Sequence, residues 1–244
     1  MRRHPTFAPQ PMTTTSFLER LQPATRDLLV QHAEAHRWTR RECIFRKGDA
    51  STGVHLLVSG LVKLYRSNSS GREQIVLLEG AGSVLSLVPL FDEGTHSLSA
   101  EALKPATTLF VPSVVFMQLH EQHSDLRAAV TSELARRLRL TQGLLETIAL
   151  QPVTARVAVR LLELAAAHAA LDGSRAFQLL LSQDEMAHVL GTSRESVARA
   201  LGELRAHGII EQRGAHIRVA DAQALFEWSH LSNSGPVTPL PSQL

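Results

Sequence analysis

Between Gly48 and Gly94, seven glycines cut the chain into short apolar runs, and after Pro112 that punctuation gives way to helical spacing. The runs are Cys43–Phe45, Val54–Val58, Leu61–Tyr65, Gln74–Leu78 and Ala106–Val111. Short strands separated by glycine turns specify an antiparallel sandwich or barrel, here a jelly roll, because hairpins need positive-φ corners and no helical crossover. Upstream, Ser16–Trp38 reads as helical, with Phe17, Leu18, Leu21, Leu28, Leu29 and Ala33 near a 3.6-residue spacing.

From Asp125 to Ala149 there is no proline, and Leu134, Leu138, Thr141, Leu145 and Ile148 follow alternating steps of four and three residues. That is a heptad seam, broadened by Leu126, Val130, Leu140 and Leu144. A helix of about 25 residues spans about 37 Å. Arg136, Arg137 and Arg139 are expected to need solvent, so the apolar face is expected to meet a second copy of the chain. Pattern alone also allows a core helix of a single domain. Pro152 ends the helix, since it lacks a backbone donor and biases its predecessor away from helix. The expected organisation is therefore α+β: a flexible arm at 1–15, a barrel at 16–122, a dimerisation helix and hinge at 123–151, a second domain at 152–230 and a disordered tail at 231–244.

Composition narrows the function by exclusion. With 44% hydrophobic and 20% charged residues the chain is not disordered as a whole. No apolar run approaches the ~20 residues needed to span a bilayer, and Met1–Met12 has no apolar h-region, so a cytoplasmic protein without a membrane partner is expected. A single cysteine excludes an internal disulfide and any all-cysteine zinc or iron–sulfur site. Cys43 itself lies in an apolar strand and reads as an inert thiol. His32 and His36 stand four apart on the expected helix, a legitimate metal spacing, but no third ligand accompanies them, and a solvated face is the better reading. His120 and His123 read the same way. Within residues 41–111 only His55 and His96 are histidines, too few for the three-histidine site of a metal-dependent jelly-roll enzyme. That enzyme stays as the alternative from another class; no catalytic residue, metal or cofactor is expected.

The net charge of +2 is too small to argue for nucleic acid by itself. Residues 183–202, Gln-Asp-Glu-Met-Ala-His-Val-Leu-Gly-Thr-Ser-Arg-Glu-Ser-Val-Ala-Arg-Ala-Leu-Gly, carry the argument instead. Met186, Leu190, Val197 and Leu201 are spaced to bridge two helices, Ala187 is small where they cross, and Gly191 supplies the positive φ of the turn. Ser193 is a good N-cap for a helix reaching about Ala206. Beyond it, His207–Val219 reads as two short strands around Arg213-Gly214, a wing. Arg194, Glu195 and Arg199 share one face. Arg can bind guanine O6 and N7 together, and Glu can accept from cytosine N4. An acid on a DNA-facing helix is self-defeating against phosphate and sensible against a base.

These residues resemble the Crp/Fnr family of bacterial transcription regulators. Ser193-Arg-Glu-Ser-Val-Ala-Arg199 is similar to the family's recognition helix, and Glu133–Leu138 to the start of its dimerisation helix. Gly48-Asp49, Leu57–Gly60, Gly71, Gly82 and Pro89–Phe91 are similar to its cyclic-nucleotide-binding barrel. The resemblance covers residues 16–228 and is strongest over 182–213. It implies a homodimer on double-stranded DNA with RNA polymerase as partner, Arg194 and Arg199 on guanines and Glu195 on a cytosine of a TGTGA-like half-site. Ser182, Thr192 and Ser193 complete the implied DNA-facing set.

The resemblance breaks at the effector. Members that bind cyclic AMP carry Gly-Glu after the position of Gly82, for the ribose, and Arg-Ser for the cyclic phosphate. Here Ser86-Leu87 and His96-Ser97 stand there; Thr141 keeps an adenine-contacting position, with Gln142 beside it. Leu87 offers no acceptor, and a histidine with an ordinary pKa near 6.5 is mostly neutral at pH 7. Burying a phosphate without a firm cation costs on the order of several kcal/mol. The oxygen-sensing branch needs four cysteines. What remains is the apolar stretch Val84–Phe91, with Leu85, Leu87, Val88 and Leu90 expected to pack inward or to meet an apolar ligand. The expected activity is DNA binding without cyclic AMP, the alternative being a ligand-gated regulator of the same family.

Overall fold

A computed structural model describes residues 16–69, 71, 73–172, 176–179 and 181–231, the side chains of 167–172 excepted. The expected arm at 1–15 and all but Leu231 of the expected tail lie outside the described residues. The chain divides into two compact units, one ending at Thr141 and the other beginning at Gln142.

The N-terminal unit opens with a 3₁₀ turn, Phe17–Arg20, followed by α1 (Pro23–Gln31). The helix expected over Ser16–Trp38 stops there. Pro23 starts α1 at a position where no backbone donor is needed, and His32 caps its end. Glu34–Trp38 is instead strand β1, paired antiparallel with a strand some 70 residues later, Glu34 opposite Phe110 and Trp38 opposite Ala106. His32 and His36 therefore share no helix face. His32 Nδ1 meets the Leu28 carbonyl, and the His36 ring stacks on Trp38.

Five further strands follow: β2 (Cys43–Phe45), β3 (Gly53–Ser67), β4 (Glu73–Gly80), β5 (Val84–Leu85) and β6 (Ser99–Pro112). Every pairing is antiparallel, in the order β1-β6-β3-β4, with β2 beside β6 and β5 beside β3. The sequence expects Val54–Val58 and Leu61–Tyr65 as separate strands; they are one 15-residue strand bent at Gly60. The register against β6 shifts three times between Leu57 and Val62. Gly60 has φ +97°, and a Cβ there would collide with the Pro105 carbonyl and Ala106. The glycine bends the strand without breaking it.

Two helices close this unit, α2 (Ser113–Gln122) and the first part of α3 (Ser124–Leu150). One core joins Leu29, Val54, Val84, Leu87, Val111, Phe116 and Leu126; another, on the sheet, joins Leu57, Val62, Leu64, Leu85, Ala100 and Ala102. His120 and His123 are half-buried rather than on a solvated face: His120 lies against Phe91, and His123 Nδ1 lies 3.3 Å from Thr25 Oγ1.

The 27 residues of α3 match the proline-free stretch and span about 40 Å. Its arginine face is not wet as expected. Arg137 is buried and Arg136 half-buried, both ion-paired with Glu79 and Glu133; Arg139 alone of the three is exposed.

The helix breaks at Gln151-Pro152, and α4 (Val153–Asp172) begins. Then come β7 (Ala176–Gln178), α5 (Gln183–Leu190), α6 (Arg194–Ala206), β8 (Ile210–Arg213), β9 (His216–Val219) and α7 (Ala222–Ser229). The small sheet runs β7-β9-β8, all antiparallel. Its core gathers Val157, Leu161, Phe177, Met186, Leu190, Val197, Leu201, Ile217 and Leu225. Strand β7 and helix α7 have no counterpart in the sequence reading; three residues are too few to show a period.

Candidate nucleic-acid interface

Helix α5 begins at Ser182, whose hydroxyl accepts from Glu185 N–H while the Glu185 carboxylate takes the Ser182 N–H, a reciprocal capping box. It ends at Gly191 with φ +63° and ψ +40°, left-handed backbone that glycine adopts at little cost. Thr192 N–H closes the turn on the Ala187 carbonyl at 3.0 Å. Ser193 then caps α6, its hydroxyl accepting from Ser196 N–H.

On α6, Val197, Ala200, Leu201 and Leu204 are buried, and their spacing leaves the opposite stripe free. That stripe carries Arg194, Glu195, Ala198 and Arg199, all exposed. Four of the expected DNA-facing residues, Ser193, Arg194, Glu195 and Arg199, are therefore open to solvent within the first two turns. Ser182 is exposed at the start of α5 and Thr192 half-buried in the turn. The Glu195 carboxyl is held below its ordinary pKa by its own backbone N–H, then by Ser193 and Arg194, so at neutral pH it is an anion that only accepts. The wing hairpin turns at Gly214, φ +60°, with Arg213 exposed beside it.

Three residues that sequence reading passed over hold this motif. The Thr154 hydroxyl donates to Glu203 Oε2 on α6 at 2.9 Å, and Arg156 donates to the Leu190 carbonyl at the end of α5. Arg156 stands between Ala155 and Val157, and all three are buried, so an arginine inside an apolar helix run was the available signal.

The expected effector residues have different surroundings. Leu87 is 0% exposed within the apolar core, where a side chain takes the space. Ser86 is buried at φ +64° and its hydroxyl meets Ser51 Oγ at 2.8 Å. His96 is buried and stacks on Phe45, ring centroids 3.9 Å apart. Burial lowers its pKa, against the opposing charge of Asp49. Ser97 is exposed, its carbonyl accepting from Arg66. The Thr141 hydroxyl donates back to the Arg137 carbonyl, and Gln142 is exposed. Leu85 packs inward as expected, whereas Val88 is 37% exposed because it opens a short 3₁₀ turn at the surface. Burial raises the pKa of the half-buried Cys43, which keeps it a thiol.

On the expected dimer seam, Leu138 and Leu145 are 60% and 65% exposed and Ile148 is exposed as well. Leu134 is half-buried against the core of the N-terminal unit, and Thr141 is half-buried. Among the described residues no group of three or more His, Cys, Asp or Glu side chains is placed to hold a metal ion, and no helix is long and apolar enough to cross a membrane.

Residues 155–228 match the Crp-like helix-turn-helix domain, and residues 35–123 match the cyclic nucleotide-binding domain. A cyclic AMP receptor protein of Thermus thermophilus is 29% identical over 207 residues, covering 85% of this chain and 93% of that protein. A cAMP-activated global transcriptional regulator of Haemophilus influenzae is 26% identical over 200 residues, covering 81% and 88%. Among solved structures, the c-di-GMP-responsive regulator CLP of Xanthomonas campestris superposes with a TM-score of 0.71 at 24% identity, covering 81% and 99%. FixK2 of Bradyrhizobium japonicum gives 0.70 at 24% identity, covering 82% and 98%. The last two speak for the fold. The Haemophilus relative is named as a transcriptional regulator.

Proposed function

Because the chain belongs to the Crp/Fnr family of transcription regulators, we propose that it acts as a cytoplasmic homodimer on an inverted repeat of TGTGA-like half-sites, without requiring cyclic AMP. One observation carries the DNA reading: Arg194, Glu195 and Arg199 stand exposed on a single face at the start of α6. Two guanidinium forks recognise guanines, and the carboxylate between them accepts from a cytosine amino group. A second copy, joined through Leu138, Leu145 and Ile148, presents the same face one helical turn of DNA away, about 34 Å. Bound there, the dimer positions RNA polymerase.

Activation by cyclic AMP, which the name of the Haemophilus protein states for it, is not carried over. Leu87 is fully buried in the core at the ribose position, and His96 is stacked against Phe45 with a pKa that burial lowers. A ligand shifts an equilibrium only by its differential affinity for the two states, and these side chains offer a cyclic phosphate little.

The test is selection from random DNA, followed by titration of the purified ligand-free chain with its selected site, alone and with cyclic AMP or cyclic GMP. The expected result is a two-fold symmetric site bound tightly, with neither nucleotide changing the affinity. A site without two-fold symmetry would sink the homodimer. Silence until micromolar nucleotide is added would replace this reading with a ligand-gated regulator and return attention to His96 and Ser97.

A further inference from the structure

Two carboxylates and two guanidiniums lie together where α3 meets the sheet. The side chain of Glu79, near the end of β4, is 3% exposed, and that of Glu133, on α3, is 5% exposed. Arg136 Nη2 bridges them, 3.1 and 3.2 Å from the two oxygens of Glu79 and 2.6 Å from Glu133 Oε1. Its Nε donates to Glu133 Oε2 at 2.9 Å. Arg137 makes a second bridge, Nε to Glu133 Oε1 at 3.0 Å and Nη2 3.5 Å from Glu79 Oε1. The Ser83 hydroxyl donates to Glu79 Oε2 at 2.8 Å, and Arg137 Nη2 also donates to the Val84 carbonyl. Formal charge sums to zero, and all four carboxylate oxygens accept. Buried ions are tolerated on those terms, and removing one partner strands the others.

The placement gives the cluster its meaning. Glu133, Arg136 and Arg137 ride on α3; Glu79, Ser83 and Val84 belong to the sheet and its connection. Val84 opens β5, two residues before Ser86-Leu87. The segment that would hold a nucleotide's ribose is therefore tied to the long helix by a guanidinium. A slide of α3 by one residue, about 1.5 Å, is enough to take the bonds from Arg136 to Glu79 and from Arg137 to the Val84 carbonyl outside the ordinary N–H···O range of about 2.7–3.2 Å unless the side chains follow. The anchorage is made or lost as a unit, as a two-state element requires.

We propose that this cluster replaces a bound effector: Glu79 and Arg137, with Glu133 and Arg136, are positioning residues that hold α3 in its DNA-binding arrangement without a ligand. The proposal rests on the ligand-independent reading above. It makes an internal ion pair the regulated element, and any partner that competes for Glu79 or Arg137 would release the helix.

The experiment uses the full-length chain without ligand. Glu79→Gln keeps the shape of the side chain and removes its charge. The expected result is a folded dimer that binds the selected site roughly tenfold more weakly, a typical allosteric coupling, with faster amide exchange over residues 133–141. A purely structural role would lower the melting temperature and leave the affinity of the folded dimer unchanged, and that result overturns the proposal. Should Glu79→Gln fail to fold, the charge-balanced pair Glu79→Gln with Arg137→Gln is assayed in its place. Weaker binding by that folded dimer supports the role, and unaltered binding overturns it. Wild-type protein that is silent without a ligand would overturn the underlying reading and this role with it; wild-type binding with an unaffected variant would overturn this role alone.

Discussion

The guanidinium of Arg156, on α4, donates a hydrogen bond to the carbonyl oxygen of Leu190, the last residue of α5. No carboxylate accompanies it in the ion pairs of the described residues, and burial lowers its pKa. What it meets instead is the negative end of a helix, where a cation is favoured. Arg156→Met keeps most of the length and loses the donors, leaving a buried carbonyl without its partner. Unfolding in urea should show a loss of about 1–3 kcal/mol, with weaker DNA binding because α5 no longer fixes the turn before Ser193. An unchanged midpoint would mean that the carbonyl finds another donor.

The exposed stripe of α3 makes a prediction about assembly. Leu138 and Leu145 lie one heptad apart and are both more than half exposed. Changing both to Glu should give monomers in sedimentation and abolish binding to a symmetric site, while the fold persists, since neither side chain belongs to a core. Leu134 is a poor choice for this purpose, because it also packs on the N-terminal core and its loss would confuse folding with pairing. A stable, active dimer from the double variant would place the interface elsewhere.

On the proposed reading, base readout and backbone contact should separate in experiment. Arg199→Ala should cost about 1–3 kcal/mol and relax the preference at one base pair. Arg213→Ala, on the wing, should weaken all sequences alike, as loss of a phosphate contact does. Binding measured across a set of single-base variants of the selected site distinguishes the two. Equal losses at every position for Arg199→Ala would remove α6 from the role of reader.

The helix-turn-helix was legible in the sequence because its caps, turn and inter-helix spacing are local, whereas the bonds that brace it from Thr154 and Arg156 on α4 are not. Met186, Gly191, Ser193 and Val197 lie within twelve residues, and a cap, a turn and a spacing suffice. What stayed hidden depends on partners far along the chain. Arg136 reads as a solvent-facing arginine until β4 brings Glu79, 57 residues earlier, to its side. Glu34–Trp38 has no clear alternation of its own, and becomes a strand because β6 offers it a free edge. The apolar stretch at Val84–Phe91 was visible, but its fate was not. Leu85 and Leu87 entered two different cores while Val88 remained at the surface, a choice made by the turn between them.

Acid should act on the two units in opposite directions. His55 is half-buried against the rings of His36, Trp38 and Phe110. Trp38 Nε1 donates to Thr108 Oγ1 at 2.9 Å, and His55 Nδ1 lies 3.2 Å from the same hydroxyl. Burial first, then the neighbouring His36 and His96, lower the pKa of His55 from 6.5 to about 4. The unfolded chain therefore binds more protons between those values. Stability is intact above pH 6.5 and falls as pH drops toward 4, by up to about 3 kcal/mol. Glu163, on α4, behaves in the reverse sense: burial, only partly offset by Arg160, raises its pKa from 4.5 to about 7. Its contribution is full below pH 4.5 and lost as pH rises through 7. Hydrogen exchange on the whole chain at pH 5 and pH 7.5, corrected for intrinsic rates, should show the strands around His55 protected less at pH 5 and α4 protected more. His55→Gln should flatten the first response and Glu163→Gln the second. If each variant keeps the wild-type dependence, neither group is the one that titrates.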